Sequence, residues 1–196
     1  MNYLAHLYLS GNQEKIILGN FIGDFVKGKK INDYDPETRA GILLHREIDR
    51  FTDDHPMVLE SKKRLWDKYH HYAAVIIDVF YDHFLAANWE RYSAVPLKKY
   101  TENFYELMMG LKSSIPKRAF NMLFYMQRDN WLYHYQSIEG INATLTGMSK
   151  RTKFKSGLEN ASFDLKSNYD DFKKEFELFF PELEQMSKGF LSTLDI

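Results

Sequence analysis

The chain has 196 residues, of which 44% are hydrophobic and 27% are charged, and these proportions are typical of a folded globular protein. Its 26 lysines and arginines are balanced by 27 acids, and this near-neutral total argues against a protein that binds nucleic acid. Because cysteine is absent, disulfides, cysteine-based zinc sites and a thiol nucleophile are excluded. Any bound metal must therefore be held by histidine, carboxylate or main-chain oxygen.

The apolar segments are too short and too polar to cross a membrane. The longest of them, residues 73–84, is interrupted by Asp78 and Asp82. The N-terminal residues show neither the basic region nor the long apolar run of a secretion signal. These features predict a cytoplasmic protein with no membrane partner.

Helical periodicity, with apolar residues three and four positions apart, runs through most of the chain. In chain order, the predicted helices are an apolar segment around His6, then residues 12–28, 36–54, 57–68, 70–92, 97–112, 117–136 and 162–188. Asp35-Pro36 is a typical helix start, and Pro181 is expected to bend or break the last helix. Alternating strand patterns are scarce. We therefore predict an all-α, single-domain helical bundle over residues 1–196.

Acids and histidines occupy helix faces that are otherwise apolar. They are Asp24 in segment 12–28, on one stripe with Ile16 and Asn20, then His45, Asp49 and Asp53 in segment 36–54, and Asp78, Asp82 and His83 in segment 70–92. Residues four apart stack on one face of a helix, so the members of each set are neighbours. An unpaired carboxylate among apolar side chains is costly, and these acids therefore need partners.

Two explanations compete for these acids. Each acid could belong to a structural ion pair, since Arg46 and Arg50 are close in sequence. Two arginines are nevertheless too few to neutralise acids on three helices at once. A divalent cation between facing helices would neutralise several of them, and mixed histidine and carboxylate ligation favours manganese, iron or zinc over calcium. We therefore predict a metal site.

Four blocks of sequence also form a recognisable series: residues 1–7 (MNYLAHL), 19–28 (GNFIGDFVKG), 41–53 (GILLHREIDRFTD) and 78–85 (DVFYDHFL). In this order they resemble the acyl carrier protein phosphodiesterase family. That family is regarded as an atypical branch of the HD phosphohydrolases, which are all-helical, metal-dependent enzymes. The chain departs from the wider HD pattern because it contains no His-Asp dipeptide.

The resemblance implies an HD-phosphohydrolase-like bundle that hydrolyses the phosphodiester joining 4'-phosphopantetheine to a serine of holo acyl carrier protein. The product is apo acyl carrier protein, and manganese is the usual metal. On this basis the predicted metal ligands are His6, Asp24, His45, Asp78 and Asp82. The predicted catalytic residues are His83 as a proton shuttle, Arg46 as a phosphate clamp, and Asp49 as a ligand or as the residue that orients the attacking water.

Two other functions fit the same residues. One is an HD-like phosphohydrolase that acts on a nucleotide or another small phosphodiester. The other is a non-catalytic helical binding protein in which the acids and histidines are only structural. For His6 alone, the simplest interpretation is a hydrogen-bonded histidine of the core.

The charges are unevenly distributed along the chain. Residues 112–155 contain eight lysines and arginines but only two acids, which gives this segment a formal charge of +6. Such a segment could attract an acidic partner such as an acyl carrier protein, or it could be an ordinary solvated surface.

Overall fold

The computed structural model describes residues 1–194, so the last two residues of the predicted domain lie outside the described part. Eleven α-helices make up this part: α1 (Tyr3–Leu9), α2 (Glu14–Ile22), α3 (Pro36–Asp54), α4 (Pro56–Tyr69), α5 (Tyr72–Ala87), α6 (Leu97–Gly110), α7 (Lys117–Arg128), α8 (Trp131–His134), α9 (Ile138–Ser149), α10 (Ala161–Ser167) and α11 (Tyr169–Ser192). Residues 1–194 contain no β-strand, and the all-α prediction is confirmed.

The predicted starts of α3 and α4 are confirmed in detail. The carboxylate of Asp35 accepts hydrogen bonds from the Thr38 amide at 3.2 Å and from its hydroxyl at 2.7 Å, while Pro36 takes the first helical position. His55 ends α3 and caps α4, because its Nδ1 accepts a hydrogen bond from the Met57 amide at 3.2 Å. Both caps satisfy amides that a helix start leaves without partners.

Other helix boundaries differ from the prediction. Segment 162–188 is divided at Asn168 rather than at Pro181, because the Asn168 side chain donates to the Asp164 carbonyl and ends α10. Helix α11 continues through Pro181, where the buried side chains of Phe180 and Leu183 anchor both sides. Helix α9 was not predicted, and its two glycines and two β-branched threonines, which have low helix propensity, explain its weak sequence pattern.

A single cluster of buried apolar side chains extends from α1 to α11. Helix α5 lies at its centre and packs against α1, α4, α9 and α11. Aromatic side chains of α11, including Phe172, Phe176 and Phe180, are almost fully buried in this cluster, which accounts for much of the high aromatic content. Within residues 1–194, no helix combines the length and the apolar character needed to span a lipid bilayer.

Two glycines allow α2 and α3 to pack in close contact. A Cβ atom at Gly19 would lie 2.0 Å from the Thr38 carbonyl oxygen, and one at Gly41 would lie 2.2 Å from the Ile16 carbonyl oxygen. No side chain fits in these gaps, so only glycine permits this distance between the helix backbones. The contact places Asn20, near the end of α2, directly beside His45 of α3.

Candidate metal centre

Acidic and imidazole side chains converge in a cleft of about 360 Å³ at one end of α1, α3 and α5. The acids and histidines among the residues that line it are His6 of α1, Asp24 of the short turn after α2, His45, Asp49 and Asp53 of α3, and Asp78 of α5. Members of all three sets of polar residues found in the sequence thus line the same cleft, together with His6.

Asp49 lies at the centre of this group. One of its carboxylate oxygens is 3.2 Å from Nε2 of His6, and the other is 3.2 Å from Nε2 of His45. An oxygen of Asp24 also lies 3.4 Å from Nε2 of His45. The two imidazole rings are stacked, with centroids 4.2 Å apart.

Asn20 determines which nitrogen of each imidazole carries a proton. Its side-chain amide donates to the His6 carbonyl at 2.9 Å and to the Ser10 hydroxyl at 2.8 Å, so its Oδ1 can only accept. Nδ1 of His6 lies 2.8 Å from this oxygen, and Nδ1 of His45 lies 2.8 Å from the Asn20 backbone carbonyl. Both Nδ1 atoms must therefore donate, which directs both Nε2 atoms into the cleft.

This donor set fits a divalent cation. The ligand atoms of His6, His45 and Asp49 all lie within 4.8 Å of one another. Nε2 of His45 is buried and has no hydrogen-bond partner within residues 1–194. When His6 is neutral and its Nδ1 donates, its Nε2 presents a lone pair to the Asp49 carboxylate, an arrangement that is repulsive unless a cation or a proton lies between them. Imidazole and carboxylate together suit manganese, iron or zinc.

The electrostatics of the cleft are consistent with this conclusion. Burial and the neighbouring His45 ring lower the pKa of His6. Burial also opposes the charge on His45, but the carboxylates of Asp24 and Asp49 outweigh it and raise the pKa of His45 to about 9. Burial favours the neutral form of Asp49, yet its two imidazole contacts hold the pKa of this carboxyl well below its usual range. The cleft therefore keeps anionic oxygens beside a neutral His6.

Neither arginine considered from the sequence neutralises these acids. Arg46 is exposed and donates to the Val26 carbonyl at 3.1 Å, and Arg50 pairs with Glu47 on the surface of α3. Asp78 is paired with the amino group of Met1 at 3.0 Å, within the cleft. The ion-pair explanation accordingly applies to Asp78, through the Met1 amine and not an arginine, whereas Asp24 and Asp49 contact imidazoles.

Asp82 lies one turn deeper on α5 than Asp78 and does not line the cleft. Its two oxygens accept hydrogen bonds from the backbone amides of Leu4 at 2.7 Å and Ala5 at 3.2 Å. Burial raises the pKa of Asp82 to about 7, against the opposing effects of the N-terminal amine and these amides. The carboxylate caps α1 from a neighbouring helix and so holds the helix that carries His6.

Replacing Asp82 by alanine is therefore expected to destabilise the fold by about 3 kcal/mol, because two buried amides lose their acceptor. Urea unfolding monitored by circular dichroism measures this loss, and a manganese titration of the folded fraction measures metal affinity. Unchanged stability together with complete loss of metal binding would instead make Asp82 a ligand.

His83 faces away from the cleft, on the opposite side of α5. Its Nδ1 lies 2.8 Å from the Tyr135 carbonyl oxygen and its Nε2 lies 3.2 Å from the Tyr169 hydroxyl. The side chain is almost fully buried, and burial lowers its pKa. The structure thus brings together His6, Asp24, His45, Asp49 and Asp78 but separates them from Asp82, His83 and Arg46.

The chain also matches a known protein family along most of its length. Residues 1–183 match the family model for acyl carrier protein phosphodiesterase. The chain belongs to this family. It is 34% identical over 190 residues to the acyl carrier protein phosphodiesterase of Escherichia coli O6:H1, covering 96% of this chain and 98% of the relative. The protein of the same name from Serratia proteamaculans is 32% identical over 189 residues, with the same coverage.

No solved structure matches the chain, so the HD-phosphohydrolase-like arrangement stays a prediction for this member of the acyl carrier protein phosphodiesterase family. Two residues that were not predicted to belong to the site also shape the candidate metal centre. Asn20 shares a helix stripe with Asp24, which was an available signal for its proximity to the site. Gly23 had no comparable signal, although a Cβ atom there would lie 2.4 Å from Cγ of His45.

Proposed function

We propose that residues 1–196 form one domain, a cytoplasmic, manganese-dependent phosphodiesterase. Its substrate is holo acyl carrier protein, from which it hydrolyses 4'-phosphopantetheine to leave the apo protein. The observation that carries this proposal is the convergence of two imidazole Nε2 atoms on the Asp49 carboxylate in an open cleft. Family membership and the names of the relatives support the choice of substrate.

The proposed ligands are Nε2 of His6, Nε2 of His45 and the carboxylate of Asp49, with Asp24 beside them. Asn20 orients both imidazoles through its side-chain and backbone oxygens. Asp78 is held by the Met1 amine and contributes negative charge at the edge of the cleft. In this assignment Asp82 supports α1, and His83 and Arg46 have no contact with the reacting atoms.

When bound, a divalent cation neutralises charge on the phosphodiester and makes water more acidic. Hydrolysis forms a bond between the water oxygen and phosphorus and breaks the bond between phosphorus and the serine oxygen. One water proton ends on the serine oxygen, and the other stays with the released phosphate or enters solvent. The Asp24 carboxylate, whose side chain is 62% exposed, is the cleft acid best placed to accept the proton of the attacking water.

Mass spectrometry of holo acyl carrier protein after incubation with the protein and Mn²⁺ tests the activity. We expect a mass loss that corresponds to 4'-phosphopantetheine, and no loss when a chelator is present. Hydrolysis of a nucleotide phosphodiester with an intact carrier protein would favour a general HD-like phosphohydrolase instead. The absence of any reaction and of any metal binding would leave a helical binding protein.

Metal binding is expected to weaken as the pH falls below about 9. His45 has a pKa raised to about 9, so near neutral pH its Nε2 holds a proton that a metal must displace. Each binding event should release about one proton, and apparent affinity should fall by about tenfold for each pH unit. Calorimetric titration in two buffers of different ionisation enthalpy measures both quantities.

Asp24→Asn tests whether the neighbouring carboxylates cause this pH dependence, since it removes one of the two carboxylates that raise the pKa of His45. The pKa of His45 should be lower in this variant. As the pH is raised, the number of protons released on metal binding should therefore begin to fall at a lower pH than in the wild type. An affinity that is independent of pH between about 6.5 and 8.5 would contradict the assignment of His45 as a ligand.

The basic segment of residues 112–155 supplies exposed positive charge. All eight of its lysines and arginines are exposed, and within residues 1–194 only Arg128 forms an ion pair, with Asp129. Unpaired surface charges are available to attract an acidic protein over a distance. We propose that this segment steers acyl carrier protein toward the cleft.

Reversing the charge of Lys150 and Lys153 to glutamate should raise the Michaelis constant for the carrier protein by about fivefold at low ionic strength. The difference should shrink in high salt, since exposed charges are screened. Lys98 and Lys99 are exposed outside the segment, and their double glutamate variant is the matched control. Equal Michaelis constants for the two variants would leave the basic segment as ordinary surface.

A further inference from the structure

A second groove, of about 690 Å³, lies next to the metal cleft and is larger than it. Helix α9 borders both spaces. Met148 lines the metal cleft, whereas the preceding residues Thr144 and Gly147 line the groove. The volume is within the range of sites that bind small organic ligands, and nothing in the proposed metal centre makes use of it.

Aromatic side chains and bare backbone form the surface of this groove. Trp131 and Tyr125 provide apolar walls, and each carries an arginine over its ring: Arg151 lies 5.6 Å from the Trp131 centroid, and Arg128 lies 5.0 Å from that of Tyr125. Along α9, Gly147 leaves the groove open, because a Cβ atom there would meet no atom within 4 Å. The result is a largely apolar surface edged by two arginines and by the acids Asp129 and Glu139, of which Arg128 and Asp129 pair with each other.

Arg151 is the arginine of the groove whose charge acts on a residue of the metal cleft. It lines the groove, and its charge also reaches Tyr3, a residue of the cleft. Burial and Asp24 raise the pKa of the Tyr3 phenol, and Arg151 partly opposes them. Unlike Arg128, Arg151 has no ion-pair partner within residues 1–194, so its charge is available to an anionic ligand that extends from one space into the other.

We propose that this groove binds the pantetheine arm of the substrate while the phosphodiester occupies the metal cleft. The inference rests on the proposed function, because the arm is the group directly bonded to the reacting phosphate. Pantetheine is an uncharged chain with a dimethyl group, a hydroxyl and two amides, and it can lie against Trp131 and Tyr125 while Thr144 and His134 supply polar contacts. Arg151 is placed to bind the phosphate end.

The other end of the phosphodiester belongs to the carrier protein, and a different surface suits it. The serine ester must point away from the arm, and the exposed lysines that follow α9 match the acidic protein that carries it. The position of the groove beside the cleft, with Gly147 in one and Met148 in the other, favours the arm as its occupant over a helix of the carrier protein.

Filling the groove provides the test. Gly147→Leu adds a side chain to open space in the groove, and leucine also has a higher helix propensity than glycine, so the fold should be retained. Gly189→Leu is the matched control, since Gly189 lies within α11 and a Cβ atom there also meets nothing within 4 Å. Calorimetry with pantetheine measures binding, and mass spectrometry measures hydrolysis of holo acyl carrier protein.

We expect pantetheine to bind the wild type and Gly189→Leu, and to bind Gly147→Leu at least about tenfold more weakly. The kcat/KM for holo acyl carrier protein should fall by a similar factor in Gly147→Leu alone, with unchanged Mn²⁺ affinity and thermal stability. Equal pantetheine binding by the two variants would overturn the proposal. Slower hydrolysis with normal pantetheine binding and weaker binding of apo carrier protein would assign the groove to the protein instead.

The two proposals can fail separately. If the wild type leaves holo acyl carrier protein intact but binds pantetheine in a manner that depends on Gly147, the proposed activity fails and the groove assignment stands. If the wild type hydrolyses the carrier protein and Gly147→Leu does so equally well, the activity stands and the groove assignment fails.

Discussion

Replacing Asp49 by asparagine is expected to abolish metal binding and to lower hydrolysis of holo acyl carrier protein by about a thousandfold. Within residues 1–194, Asp49 is the one carboxylate that contacts both imidazoles, at 3.2 Å from each Nε2 atom. Asparagine keeps the shape of the side chain but removes its charge, and its amide can donate to an Nε2 atom. The metal-free protein should therefore keep its stability while its affinity for Mn²⁺ falls by at least roughly a hundredfold.

Asp53→Asn is the matched control for this substitution. Asp53 lies one turn further along α3, lines the same cleft, and pairs with Lys62 at 2.7 Å rather than with an imidazole. Its replacement removes the same charge and should change the rate by no more than about threefold. Calorimetric titration with Mn²⁺, thermal unfolding and the mass-spectrometric assay distinguish the two variants. Normal Mn²⁺ affinity in Asp49→Asn would exclude Asp49 as a ligand.

Replacing Gly23 by alanine is expected to disable the centre without changing any ligand. The added Cβ atom would lie 2.4 Å from Cγ and 2.7 Å from Cβ of His45, so the imidazole or the turn after α2 has to move. A displaced ring loses either its contact with the Asn20 carbonyl or its direction toward Asp49. We expect a decrease of about ten- to a hundredfold in metal affinity, as for other losses of ligand support.

Saturating Mn²⁺ should restore part of the activity of Gly23→Ala, since all the ligands are still present. Such rescue would not occur if the variant had simply unfolded. Gly110→Ala is the control, because a Cβ atom at the end of α6 meets nothing within 4 Å. Equal Mn²⁺ affinity for the two glycine variants would mean that the fold accommodates a methyl group beside His45.

Sequence periodicity predicted the class of fold and several boundaries correctly. Apolar spacing identified most helices, and Asp35 and Pro36 located the start of α3 because their capping contacts are local. It failed over residues 138–149, where burial against α5 and the neighbouring segments outweighs weak helix propensity. That omission also concealed the groove, since α9 provides one side of it.

The sequence predicted the chemistry of the candidate site, but it predicted only some of the residues that form it. The sequence indicated that His6, Asp24, His45 and Asp78 belong near a metal, and the structure brings them to one cleft with Asp49. Asp78 and Asp82 looked equivalent because they lie four apart on one helix. Only Asp78 reaches the cleft, since α1 crosses α5 over Asp82 and uses its carboxylate as a cap.

The amino-acid sequence by itself determined that this protein is helical, that any metal would be held by histidine and carboxylate, and that its near-zero net charge conceals a basic segment. Tertiary structure alone decided which carboxylate lies between the imidazoles and which residues serve the fold instead. Periodicity specifies the face of a helix on which a side chain lies. The way two helices cross depends on long-range packing, here the glycine contact between α2 and α3. No local sequence pattern predicts such a contact.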